Sequence, residues 1–394
     1  MPRIPFSRPM VASLSWVTAA LAVVLGAAPA TQQVPANPAS PPAPASVLQQ
    51  AQTPQRGRGF TPNFAAEEQR QARSDATWQQ AAEGVMQFEQ TSYKSKKDGL
   101  TIPAYIFKPL TLRGAKGHAA LVWVHPDIRG YMYEYYIPYV REAVEKGYIV
   151  IAPEYRGSRG FGEAFWNDID YGGAEVDDVV TAVDVLERIP EVDPARIGII
   201  GWSHGGMITL LSIERNPTTF KAAAALVPVT NLFQRLAWKG VERQHQAIDP
   251  QNRYGGLPND RNAQPVYENR SPLYGVDKIQ IPVLVHVTRN DQDVNIEEDM
   301  QMVDAVRSQK PLLASTMVYD NPLGGHLFDR QCPEQLSPRT VDPTDLKSYV
   351  PTGTREQLDS WNRVWTFLDW NLDPAHDAAN AFKGSAELMG KRDR

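Results

Sequence analysis

The run Gly198-Ile199-Ile200-Gly201-Trp202-Ser203-His204-Gly205-Gly206 constrains this chain more than any other stretch. It holds Gly201-x-Ser203-x-Gly205, the spacing of a strand that turns sharply into a helix with one serine at the apex. A serine so placed sits in a strained backbone conformation, and side chains two positions either side would crowd the turn. Glycine at both positions removes them. The flanks agree: residues 196–201 read as a buried strand and 204–215 as an apolar helix. A glycine-rich turn with a bystander serine would show the five-residue pattern too, but it does not call for an apolar strand before and an apolar helix after.

The rest of the chain alternates in the same way. Residues 85–93 and 100–108 read as two strands around Lys97-Asp98-Gly99. Residues 119–125, 148–153, 221–227, 282–287 and 312–319 read as further short apolar strands. Helices are expected over 135–146, and where Val176, Val179, Val180, Val183 and Leu186 recur at helical spacing. Leu358, Trp361, Trp365 and Leu368 mark a closing amphipathic helix. The pattern predicts an α/β fold with a mostly parallel central sheet flanked by helices, and places the chemistry at the carboxyl ends of the strands.

With 394 residues, 42% of them hydrophobic, the chain is long enough for one large α/β domain or two smaller ones. A net charge of −5 argues against a nucleic-acid partner. The single cysteine, Cys332, cannot form an internal disulfide. Residues 1–30 read as a signal peptide: Arg3 and Arg8 precede an uncharged, mostly apolar stretch, and Ala28-Pro29-Ala30 fits a cleavage site. An uncleaved anchor is the alternative; with cleavage, a secreted or periplasmic protein without stable membrane insertion is expected. Residues 31–58 form a Pro/Ala-rich linker, 59–84 a helical arm, 85–372 the catalytic domain and 373–394 a polar tail.

A serine hydroxyl is a weak nucleophile at neutral pH and needs a base, itself oriented by an acid. Behind an elbow of this kind the chain order is serine, acid, histidine. The strand 282–287 runs into Thr288-Arg289-Asn290-Asp291-Gln292-Asp293, which offers Asp291 as acid with Asp293 as competitor. The strand 312–319 runs into Asp320-Asn321-Pro322-Leu323-Gly324-Gly325-His326, which puts an imidazole on a glycine-rich loop. His204 should point away from the apex. His286 reads as a satisfied core residue, His118 and His245 as surface loop residues, and His376 as part of the tail. No cofactor and no metal is called for.

Several segments together resemble the catalytic domain of the prolyl oligopeptidase family: Tyr155-Arg156-Gly157-Ser158-Arg159-Gly160-Phe161-Gly162-Glu163-Ala164-Phe165, Val192-Asp193-Pro194-Ala195-Arg196-Ile197-Gly198, the elbow, Asp291-x-x-Val294, and Gly325-His326-Leu327-Phe328. The resemblance runs from about residue 98 to 372. It implies an α/β-hydrolase fold, with Ser203, Asp291 and His326 as the triad of a serine peptidase. Related esterases and dienelactone-hydrolase-like proteins share that fold and spacing, so a carboxylesterase is the alternative, and a non-catalytic binding protein the more distant one.

Two departures from the family pattern stand out. The stretch before the core is too short for the family's β-propeller, so an open site and a small ester or peptide substrate are expected. The loop after residues 119–125 reads His125-Pro126-Asp127-Ile128-Arg129-Gly130, and Pro126 has no N–H to offer an oxyanion. The expected donors are the backbone N–H of His204, the backbone N–H of Asp127 and the ring of His125, with the Asp127 carboxylate turned away. Tyr131, Tyr133, Tyr135, Tyr136, Phe161, Phe165, Trp166 and Tyr171 crowd the flanking loops, and Trp238 lies in an insertion at 231–269. They are either a pocket for an apolar group or the packing of those loops on the sheet. A second insertion, 333–354, follows His326 and could border the same cleft. The sequence leaves the oligomeric state open.

Overall fold

Strand and helix alternate because apolar residues alternate between short β-branched runs and helically spaced faces. The computed structural model describes residues 62–238, 253–330 and 354–375. The segments expected as signal peptide and linker, His245, Cys332, His376, nearly all of the second insertion and most of the expected tail lie outside the described residues.

Helix α1 (Phe64–Ala82) starts at Asn63, whose side chain caps the Ala66 N–H. Its largest buried residue is Trp78, packed against Phe107 with ring centroids 4.9 Å apart, beside the buried Ala81 and Ala82. Strands β1 (Met86–Lys94) and β2 (Thr101–Pro109) form an antiparallel pair, and β2 runs antiparallel to β4 (Ile149–Pro153). From there the sheet is parallel: β3 (His118–Val124), β5 (Val192–Trp202), β6 (Ala222–Leu226), β7 (Val283–Thr288) and β8 (Ala314–Tyr319). The order is β1-β2-β4-β3-β5-β6-β7-β8. This is the mostly parallel sheet expected from the alternation, in the α/β-hydrolase arrangement that the family resemblance implies.

Helices cover both faces: α2 (Ile137–Glu145), α3 (Gly162–Asn167), α4 (Ala174–Glu187), α5 (His204–Arg215), α6 (Gln264–Asn269), α7 (Ile296–Gln309) and α8 (Arg355–Leu372). One apolar layer joins α4, α5 and α7 to the sheet, and the other joins α1, α2 and α8 to it. Central strands such as β3 and β6 are therefore buried along their whole length, which is why they read as continuous apolar runs.

Some expectations change. The 135–146 helix begins as a 3-10 turn at Glu134–Tyr136. Strand β5 starts earlier than residue 196, because a register shift between His118 and Ala120 lets His118 pair with Val192. Leu358 is exposed, and the buried stripe of α8 is Trp361, Val364, Trp365, Leu368 and Leu372. His118 is not a surface residue: it is buried, receives the Arg113 N–H on Nε2 at 2.7 Å and lies 2.7 Å from the Gly147 carbonyl through Nδ1. His286 is a core residue as expected, 2.9 Å from Ser360 Oγ, and burial pulls its pKa down to about 3.

Candidate active site

Strand β5 delivers Ser203 to the carboxyl edge of the sheet. The serine has φ 53° and ψ −118°, a conformation that L-residues rarely adopt. The two elbow glycines have a steric reason. A Cβ on Gly201 would lie 2.3 Å from the Gly205 carbonyl oxygen, and one on Gly205 would lie 2.4 Å from that of Val124. The turn is held by the Ser203 N–H donating to Leu226 O at 2.9 Å, and by the Ser203 carbonyl accepting from Met207 and Val229. Because α5 begins at His204, the positive end of its dipole lies at the serine.

Two loops further along the sheet bring the other groups in. His326 follows β8 on a tight turn whose Gly324 and Gly325 have φ 96° and 51°. A Cβ on Gly325 would lie 2.8 Å from Asn290 O, so glycine allows this loop to pack on the one bearing Asp291. The Asn290 side-chain amide donates to Pro322 O at 2.9 Å and ties the two together. His326 Nε2 lies 2.9 Å from Ser203 Oγ, and Nδ1 lies 2.6 Å from Asp291 Oδ2. The other Asp291 oxygen accepts the N–H groups of Asp293 and Val294, both at 2.7 Å, which fixes the carboxylate. With that geometry, Nε2 can take the proton of Oγ while Asp291 holds the Nδ1–H. Asp293 is placed differently: its Oδ2 is 3.7 Å from Nε2, and Arg235 donates to it at 3.3 Å.

On the other side of the serine lies the loop after β3. Asp127 has φ 69°. Its carboxylate is turned to the Tyr133 hydroxyl, which donates at 2.5 Å, in line with the expectation that the charge faces away. Among the described residues its main-chain N–H has no hydrogen-bond acceptor. The N–H of His204, first residue of α5, has no carbonyl within that helix to bond. The expected role for the His125 ring needs correction. That ring is buried, stacked on Tyr155 at 4.1 Å, and both nitrogens are engaged: Nδ1 with Pro126 O at 2.8 Å and Nε2 with Ser158 Oγ at 2.9 Å. Burial lowers its pKa to about 3 and raises that of the adjacent Glu154 to about 8. Their 3.4 Å approach is therefore between two neutral groups rather than an ion pair.

The aromatic residues are mostly packing. Tyr136 lies in the core between Trp123 and Trp202. Phe165 and Trp166 are buried, which corrects their assignment to a pocket. Phe165 meets Phe161 edge-on, and Trp166 meets Phe64 edge-on beneath the Arg129 guanidinium, 4.6 Å above its ring. Phe161 is half-buried and packs on the core. Tyr131 is half-buried with Arg70 stacked over it at 3.6 Å, Tyr171 packs beside the His204 ring, and Trp238 is exposed. Among the described residues, no group of three His, Cys, Asp or Glu is set to hold a metal ion.

Sequence reasoning missed Glu175, Glu154 and Ser158. Each is buried beneath the loops of the site and is brought there by the fold; Ser158 lies within the segment 155–165 that carries the resemblance, whereas Glu154 and Glu175 had no such signal.

Residues 136–331 match the model of the prolyl oligopeptidase family. That stretch is a domain of this family. Relatives agree with the assignment. An uncharacterized peptidase of Bacillus subtilis, YuxL, is 27% identical over 223 residues, which are 56% of this chain and 33% of that one. The acylamino-acid-releasing enzyme 1 of rice, Oryza sativa subsp. japonica, is 29% identical over 47% of this chain and 24% of its own. This chain thus matches a third or less of the length of either. The solved acylaminoacyl peptidase of Pyrococcus horikoshii has the same fold, with a TM-score of 0.58 at 18% identity over 75% of this chain and 43% of its own. An uncharacterized peptidase and an acylamino-acid-releasing enzyme are thus among the proteins this chain is similar to.

Proposed function

We propose that this protein is a serine peptidase that works through an acyl-enzyme, with Ser203 as nucleophile, His326 as base and Asp291 as the acid orienting it. The observation that carries the reading is the relay Asp291 Oδ2, His326 Nδ1 and Nε2, Ser203 Oγ, with steps of 2.6 and 2.9 Å at the apex of a strained turn. Nε2 takes the Oγ proton as Oγ attacks the substrate carbonyl. The N–H groups of His204 and Asp127 receive the negative charge that forms on the carbonyl oxygen. Collapse of the tetrahedral intermediate breaks the bond to the leaving group, which takes the proton from His326. Water, deprotonated by the same imidazole, then releases the acid and restores Ser203.

The peptide bond is the favoured substrate because the family and the relatives are peptidases. A carboxylesterase would use the same steps. Residues 1–30 support export, so the working protein is proposed to be secreted or periplasmic and to begin at Thr31. Mass determination of the mature N-terminus from a native host tests that part.

The catalytic reading is tested with a fluorophosphonate probe and a peptide panel. Labelling of the wild-type protein is expected at Ser203 and is lost in Ser203→Ala. Turnover in Ser203→Ala close to that of the wild type would refute the reading.

A further inference from the structure

The mechanism above uses only the main chain of His204, yet the side chain is among the most constrained in the protein. It is buried directly behind the serine. Nε2 lies 3.1 Å from Glu175 Oε1, and Nδ1 lies 3.2 Å from the carbonyl oxygen of Asp127. A carbonyl oxygen can only accept, which puts a proton on Nδ1. Glu175 is itself buried and fixed: Oε1 accepts the Gly172 N–H at 2.5 Å and Oε2 the Gly173 N–H at 3.3 Å. A third group completes the arrangement. The Tyr155 hydroxyl lies 3.1 Å from both the His125 and the Asp127 carbonyls and 3.4 Å from His204 Nδ1. The rings of Tyr155 and Tyr171 flank the imidazole at centroid distances of 5.5 and 4.8 Å.

All these contacts converge on a residue whose backbone is strained. Asp127 is one of five non-glycine residues with positive φ among the described residues, and three of the five, Asp127, Ser203 and Val227, follow the carboxyl ends of β3, β5 and β6, three neighbouring strands. Such conformations cost on the order of 1–3 kcal/mol each and persist only where surrounding contacts over-determine them. At Asp127 the carboxylate accepts from Tyr133, and the carbonyl oxygen accepts the Gly130 N–H at 3.3 Å and lies within hydrogen-bond reach of Tyr155 and His204. Fixing that carbonyl fixes the turn that carries the Asp127 N–H.

We infer that His204 is a positioning residue: anchored by Glu175, its ring and the Tyr155 hydroxyl hold the Asp127 carbonyl and keep that residue in its left-handed turn beside the nucleophile. The inference rests on the reading that the Asp127 N–H receives the oxyanion. It gives the side chain after the serine a role separate from its N–H. His204 and Tyr155 then act on one acceptor, so their effects should not add.

The test compares His204→Phe, which fills the ring's space without its nitrogens, with His204→Asn, whose amide can donate from the position of Nδ1. In the Phe variant kcat for an aryl ester should fall about 10- to 100-fold, with KM changing less than about threefold, since the loss of an aligned oxyanion donor acts on the transition state. Affinity for a matching trifluoromethyl ketone, which forms a tetrahedral adduct on serine, should fall in step with kcat/KM. The Asn variant should recover much of the loss. Amide exchange in residues 126–130, followed by mass spectrometry, should quicken in the Phe variant while that of β3 stays unchanged. Equal impairment of the Phe and Asn variants, a change confined to KM, or unaltered exchange at 126–130 would overturn the inference. If His204→Phe does not fold, Tyr155→Phe deletes a single hydroxyl and should show the same pattern of kcat, ketone affinity and exchange. An unchanged Tyr155→Phe would then sink the idea. Ester turnover that survives Ser203→Ala would instead refute the catalytic reading, and the exchange measurement would still decide the inference.

Discussion

At the scale of single residues, two aspartates two positions apart compete for one role, and their surroundings separate them. Asp291 lies against Nδ1 of His326 with its second oxygen bound by two main-chain N–H groups. Asp293 lies on the Nε2 side, and Arg235 donates to both its carboxylate and its carbonyl. Asp291→Asn should therefore lower kcat by about four orders of magnitude, because the amide favours the wrong imidazole tautomer. Asp293→Asn should cost less than about tenfold, as it removes no group that orients the ring. Steady-state kinetics of the two purified variants on one ester decides this, and the opposite ranking would move the acid to Asp293. The sequence could nominate both residues, since each follows an apolar strand. It could not rank them, because the difference lies in which imidazole nitrogen each faces. The same limit applies to His125, whose nitrogens are claimed by Pro126 and Ser158 once the loop folds.

Elements were more legible than residues wherever their apolar pattern was strong. Strands β3, β4, β6 and β7 are buried on every residue and announced themselves as apolar runs. Helix α7 was silent, because its first turn is Glu297, Glu298 and Asp299 and its buried face has only Met302, Val303 and Val306 as apolar members. Glu298 and Asp299 are nonetheless buried, and burial raises both pKa values, that of Glu298 to about 7. Such buried carboxyl groups invert the usual pattern of a helical face, so no reading of hydrophobic spacing finds them. Helix α8 was legible through its tryptophans, yet it is also held by a buried charge pair that spacing does not reveal. Lys146 Nζ lies 2.9 Å from Asp369 Oδ2, both side chains are 4% exposed, and the Tyr148 hydroxyl donates to the second oxygen at 3.1 Å. Asp369→Ala leaves the lysine buried and unpaired. It should destabilise the protein by about 3–5 kcal/mol, whereas replacing both partners with apolar residues of similar size should cost far less. Urea unfolding of the single and double variants measures this, and equal losses would contradict the account.

For the molecule as a whole, the sheet is what brings the proposed relay together. Ser203 stands 123 residues from His326, and His326 stands 35 residues from Asp291. The three follow β5, β8 and β7, so the parallel half of the sheet brings their loops together, and the contacts between those loops complete the alignment. The two halves of the proposed reaction do not depend on that alignment equally. Attack by Ser203 needs Nε2 near Oγ. Expulsion of an amine needs the same imidazolium to reach the leaving nitrogen as well, since an unprotonated amide anion does not leave. A phenolate leaves without that help. For one acyl group, kcat/KM should then be higher for an aryl ester than for the matching anilide, by about 10²-fold or more, given what general acid catalysis contributes. Loosening the sheet should widen the gap, because a misplacement of about 1 Å costs roughly 10²-fold in a step that needs alignment. The Asp369→Ala variant, assayed below its unfolding temperature, weakens the hold of α8, which packs on β5, β6 and β7, without touching the site. Its ester-to-anilide ratio should exceed that of the wild type. A wild-type preference for anilides would contradict this ordering and would mean that groups beyond the three named residues help the amine to leave.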